Sequence, residues 1–337
     1  MHEDLPRPPI GVIDSLRMGF ETLARQPAVF ALPLVVDVGL WIGPRLSIRG
    51  FALPAVEGFL EALTAQPVEM AGAAQALGDL QAGLEYFAAH FNALSMLATA
   101  PLGVPSLMGR FAPEATPAGV SPPAWELGSA AVATLVVVAL ALLGILLGAV
   151  YLGLLSNLVR HGALRVGAMM RDLPARWASL AGLALVALSA VMIVFAPFML
   201  VASMLAMFSP LLSLVALTMG LSAALWVMVF MLFAAHTMFL WNRALFAAIA
   251  QSLRVVRLHM GSTLVLLLLV GVVYLGTGQI FRLLTPDSWL MLAGLALHAI
   301  VATGLFLATF IYYKDRCRHY EEFYAYLAAN RRLMKQP

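Results

Sequence analysis

Two ionisable side chains interrupt apolar stretches of this chain, Asp37 and His298, and any intramembrane chemistry would start there. An aspartate at mid-membrane costs about 2.5–3.5 kcal/mol on insertion scales, so one kept there needs a reason. Asp37 lies seven residues before Pro44, which ends one apolar run; His298 lies eight residues into another that begins at Leu290. At a rise of 1.5 Å per residue, each sits roughly 10–12 Å below the outer boundary. Matching depth would let them pair as a proton- or cation-linked site, with Tyr274 or Gln279 as further polar contributors. The competing expectation is structural: Asp37 neutral or reaching local water, and His298 closing a helix contact.

Other chemistry finds little support. The sequence has no GxxxxGK[ST], HExxH, GxSxG or CxxC motif. Its seven histidines are scattered without metal-ligand spacing. No catalytic residue, cofactor or metal is expected, and no nucleic-acid partner, because the arginines flank apolar runs where membrane orientation already explains them. A single cysteine, Cys317, excludes an internal disulfide framework; it is expected to be a reduced thiol, with lipid attachment as the alternative. His236 and Asn157 lie near the inner ends of their runs and are expected to snorkel toward headgroups. Gly144 and Gly148 form a GxxxG pair that permits close helix approach, expected to serve packing within the chain.

The elements that must hold these residues are set by composition. Residues are 62% hydrophobic and 11% charged, with a mean hydropathy of +0.92. A soluble domain carries about 25% charged residues, so lipid must replace the missing polar surface. The expected class is all-α, a polytopic membrane protein of six transmembrane helices. Spans are read at 27–44, 129–157, 177–207, 210–241, 261–281 and 290–313. The long block from Trp177 to Trp241 divides at Ser209-Pro210, since proline cannot continue a helix interior. Residues 1–26 are polar and amphipathic, which is unlike a cleaved signal peptide, so the first span is expected to remain as an anchor.

Between the spans lie cytoplasmic loops at 158–176 and 242–260, an outer loop at 282–289 and a cytoplasmic tail at 314–337. Lysine and arginine placement sets this orientation: of the 20, only Arg45, Arg49, Arg110 and Arg282 fall outside. Counting Leu84–Gly103 as a further span would reverse the basic loops, so it is read as an amphipathic helix on the outer face. It belongs to an extracytoplasmic insertion, 45–128, expected to be helical, with Pro54 starting a helix and Met70, Leu77, Leu80, Leu84, Phe87, Phe91, Leu94 and Leu97 forming an apolar stripe. Pro101–Pro123 reads as loop. The tail, with Tyr320, Phe323, Tyr324 and Tyr326, is expected to continue the last span as a surface helix. Insertion and tail are the two places a protein partner would dock; oligomeric state is left open.

Short similar stretches precede three spans: Ser15-Leu16-Arg17-Met18-Gly19, Ala163-Leu164-Arg165-Val166-Gly167 and Ser252-Leu253-Arg254-Val255-Val256. They suggest three parallel modules, each an amphipathic interfacial helix followed by a transmembrane hairpin. Asp14-Ser15-Leu16-Arg17 through Leu23-Ala24-Arg25-Gln26-Pro27, and Gln251-Ser252-Leu253-Arg254, resemble a broad group of poorly characterised bacterial six-helix membrane proteins. Some of these are named for the membrane domain fused to glycerophosphoryl diester phosphodiesterases. The resemblance implies the six-helix architecture; the catalytic domain has no counterpart here, so the activity does not transfer. The expected function is that of a non-enzymatic scaffold or accessory protein of the bacterial inner membrane. The alternative is a small-molecule or lipid transporter with its site at Asp37 and His298.

Overall fold

Prolines and helix stops set the boundaries of the protein's elements. The structure, a computed structural model, describes residues 7–64, 73–98, 102–110, 116–117, 119, 122–281 and 283–333. Helix α1 (Val12–Arg25) carries a polar face, with Arg17 near Asp14 and Glu21. It ends at Gln26, which precedes a proline and adopts φ −139°, outside the helical region that a following proline disfavours. The chain then bends by 100° into Pro27–Ile42, whose α-helical part is α2 (Ala31–Ile42). This segment spans about 24 Å, short of a roughly 30 Å hydrocarbon core.

Among the described residues, five helices are long and apolar enough to cross a membrane: α5 (Ala130–His161), α6 (Val166–Ala206), α7 (Pro210–Trp241), α9 (Met260–Phe281) and α10 (Leu290–Leu333). The bent α1–α2 pair makes a sixth if read as one broken span. The chain is therefore a predominantly helical, membrane-embedded protein. Ser209 is extended and Pro210 takes the first position of α7, where its missing N–H costs nothing, so the Trp177–Trp241 block divides where expected. Asn242 ends α7 in the left-handed conformation, φ 53°, which asparagine tolerates better than most residues. Helix α8 (Leu245–Leu258) stands apart from α9, whereas α6 runs unbroken from Val166. Ala163–Gly167 therefore does not make a separate interfacial helix: α6 runs from Val166 through Pro174 into the span. Helix α10 continues past Tyr313 to Leu333, so the last span and the tail are one helix.

The residues group into two units. The first holds 1–29, 149–276 and 301–337. Its core is aromatic, with Tyr151, Phe233, Phe239, Phe310, Tyr312 and Tyr313 all fully buried. Polar groups there bond in pairs: Tyr151 to Thr303 at 3.0 Å, Thr237 with the Tyr313 hydroxyl at 2.7 Å, and Ser262 with the Tyr312 hydroxyl at 2.7 Å. His236 is buried against Phe233 and Phe310 and meets Thr309 at 2.9 Å, so it does not snorkel. Helix α1 lies on α10, where a Cβ on Gly19 would stand 2.6 Å from the Gly304 carbonyl.

The second unit holds 30–148 and 277–300. Its insertion contains helices α3 (Arg49–Thr64) and α4 (Ala73–His90) and a two-stranded parallel sheet that the sequence did not suggest, β1 (Arg45–Ser47) with β2 (Ala124–Glu126). Pro54 lies inside α3, five residues after its start. Helix α4 stops at His90, so Leu84–Gly103 is not one amphipathic helix; a 3-10 turn at Ala93–Leu97 follows. In the expected stripe, Leu80 and Phe87 are exposed while Ala88 is buried. Leu77 has no described side chain, and Met70 lies outside the described residues.

Candidate functional site

Asp37 is fully buried on α2, and the partners of its carboxylate all come from residues 106–108. One oxygen accepts from the Ser106 hydroxyl and from the Met108 amide at 2.8 Å; the other accepts from the Leu107 amide at 3.1 Å. Ser106 Oγ in turn accepts from the Gly109 amide at 2.8 Å. The arrangement is a cap: Asp37 satisfies backbone donors at the start of a short 3-10 turn, Met108–Arg110. Val104, Leu107 and Met108 are buried with it.

The reason for a carboxylate at this depth lies in the backbone it serves. Residues 96–97 and 102–103 pack on the glycine face of α5. A Cβ on Gly144 would meet the Met96 carbonyl and stand 3.0 Å from Leu97 Cα; one on Gly148 would meet the Leu102 carbonyl and stand 2.7 Å from Gly103 Cα. Gly148 lies nine residues before Asn157, about 14 Å along the helix, well inside its apolar stretch. The GxxxG pair thus receives the insertion's own backbone. Irregular chain at such depth survives only where protein satisfies its polar groups. Asp37 and Ser106 perform that service for 107–109.

Asn92 has the same role nearer the sheet. Its side-chain oxygen accepts from the Leu46 amide at 3.0 Å and the Leu94 amide at 3.1 Å, joining β1 to the 3-10 turn. Trp41, one turn after Asp37, donates its indole N–H to the Pro286 carbonyl at 2.9 Å and meets Trp289 edge-on at 6.1 Å.

His298 is buried in the same unit, on α10, edge-on to Phe281 at 6.3 Å. A Cβ on Gly278 would stand 3.8 Å from Leu107 Cδ1 and 4.0 Å from His298 Cε1. Leu107, whose amide Asp37 holds, and His298 therefore converge on one point of α9. The structure brings the two expected residues into one neighbourhood, but the Asp37 carboxylate is directed to 106–108 and not to the imidazole. Gln279 belongs to this unit and is exposed; Tyr274 belongs to the first unit, within electrostatic reach of Tyr151. Sequence reasoning missed Ser106 and Asn92. For Ser106 there was a signal, an intramembrane carboxylate in need of donors.

No protein-family model, curated protein or solved structure matches the chain. Among the described residues no group of three histidine, cysteine or carboxylate side chains is placed to hold a metal ion.

Proposed function

We propose that the chain is a non-enzymatic membrane protein of scaffold or accessory type, resident in the bacterial inner membrane with both termini cytoplasmic. The observation that carries this reading is the use made of Asp37. A transport or catalytic site needs polar groups free to exchange their bonds with a cargo. The Asp37 carboxylate instead caps residues 106–108, and Tyr151, Thr237 and Tyr312 bond side chains of the chain itself. The orientation rests on the lysine and arginine distribution. The likeness to six-helix bacterial membrane proteins is part of the proposal, supported by the helix, break and short apolar helix of residues 12–42.

Docking surfaces for a partner would be the insertion, where Tyr86 and Phe87 are exposed on α4, and the continuous tail of α10. The test is native mass spectrometry of the protein gently extracted from its own membrane. A retained protein partner is the expected result. A stoichiometric small molecule that disappears in Asp37→Asn or His298→Ala would replace this reading with a transporter.

A further inference from the structure

Where α10 leaves its apolar stretch, the first unit contains a cleft of about 470 Å³. Met18 of α1, Leu158 of α5 and Ile311 of α10 give it an apolar wall; Arg25, Lys314 and Arg318 give it a cationic one. On α10 the residues Ile311, Lys314 and Arg318 follow at steps of three and four, so one helix face passes from apolar to cationic over about 10 Å. Such a change occurs at the boundary between hydrocarbon and headgroups.

Charge in the cleft is not balanced from within. Asp315 lines it, but its carboxylate is already bonded to Arg316 at 3.1 Å, to Arg318 and to the Ile10 amide at 2.9 Å. Lys314 donates to the Val159 carbonyl at the end of α5, at 2.8 Å. An ammonium has three donors, so two remain. Neither Lys314 nor Arg25 has a carboxylate partner among the described residues. The Lys314 ammonium pKa is drawn down, by partial burial first and then by Arg160 and Arg318, which marks a local excess of positive charge. A second cleft of about 250 Å³ shares Lys314 and adds Arg160, His161 and Trp241.

We propose that the larger cleft binds an anionic phospholipid, with Arg25 and Lys314 on the phosphate oxygens and the acyl chains along Met18, Leu158 and Ile311. A phosphate group is the shared chemistry of lipid headgroups and free phosphate; the apolar wall selects the lipid. The site goes beyond the scaffold reading, since it assigns a ligand without an activity, and Asp37 is not among the residues that line it.

The experiment is native mass spectrometry of the full chain in neutral detergent, titrated separately with phosphatidylglycerol, phosphatidylcholine and inorganic phosphate. Wild type is expected to retain one phosphatidylglycerol at concentrations where phosphatidylcholine is not held. The double variant Arg25→Gln/Lys314→Gln should lower that retention by on the order of tenfold, the size expected for two headgroup cations. Arg171→Gln/Arg257→Gln, which removes the same charge elsewhere, should leave it unchanged, as should Asp37→Asn. Should the double variant melt early, Lys314→Met keeps the aliphatic stem and takes its place. The proposal is overturned if wild type holds no phosphatidylglycerol, if phosphatidylcholine is held equally, if the control double loses as much, or if inorganic phosphate binds as tightly as the lipid.

Discussion

Replacing Asp37 with alanine tests the capping argument most directly. The substitution leaves the Ser106 hydroxyl and the Leu107 and Met108 amides buried without their acceptor. Each unsatisfied donor costs about 1–3 kcal/mol, and the chain recovers part of that by no longer burying a carboxyl group. The balance is a loss on the order of 4 kcal/mol. Asp37→Asn keeps one acceptor oxygen and should lose about 1–3 kcal/mol. Ser106→Ala removes one donor to Asp37 and the acceptor for Gly109, and should fall near Asp37→Asn. Thermal unfolding in lipid nanodiscs, followed by tryptophan fluorescence, reads the series, because Trp41 stands one turn from Asp37 in contact with Trp289. Asp37→Ala should melt about 10 °C below wild type, with the other two between. An Asp37→Ala protein as stable as wild type would refute the assignment of Asp37 to the loop and return it to the list of functional groups.

Four further outcomes follow from the structure. Gly148→Ala places a methyl against Leu102 and Gly103 and should cost about 1–3 kcal/mol in unfolding without changing the oligomeric state seen by light scattering. Gly58→Ala, with open space around it on α3, should instead stabilise by about 0.5–1 kcal/mol. The His259 imidazole pKa is drawn down to about 4, by burial first and then by Arg316 and His319. Folding thus favours neutral His259, and its contribution is complete above the ordinary value near 6.5 and lost as pH falls from there to 4. Melting curves across that window should show a loss on the order of 1 kcal/mol, reduced by solvent screening at this half-buried group, and absent in His259→Gln. Cys317 is buried beside Gln251, and burial pushes its thiol up to about 12. Maleimide labelling at neutral pH should be slow in the folded protein and fast after denaturation.

How much was legible depends on whether a signal was periodic or relational. The long apolar helices and the break at Ser209-Pro210 were legible, because length, hydropathy and proline act locally. Continuity of α6 through Val166–Trp177 was not: a basic amphipathic stretch ahead of a span reads the same whether the helix breaks after it or not, and Pro174, which could have marked a break, lies inside the helix. In the insertion, the proline- and glycine-rich stretch after Pro101 gave no period at all, so it read as surface loop. Two signals nevertheless pointed to its true position. Asp37 called for donors at a depth where water is scarce, and Gly144 with Gly148 offered a face on which backbone can approach closely. Each has a satisfactory local explanation when taken alone, as a transport residue and as a helix-packing pair. Taken together they require an irregular segment at that depth, since a well-formed helix has few free amides to give a carboxylate and seldom brings its backbone so near a GxxxG face. Residues 96–98 and 102–109 belong to that segment, and their bonds to α2 and contacts with α5 make Asp37 a structural residue of the second unit.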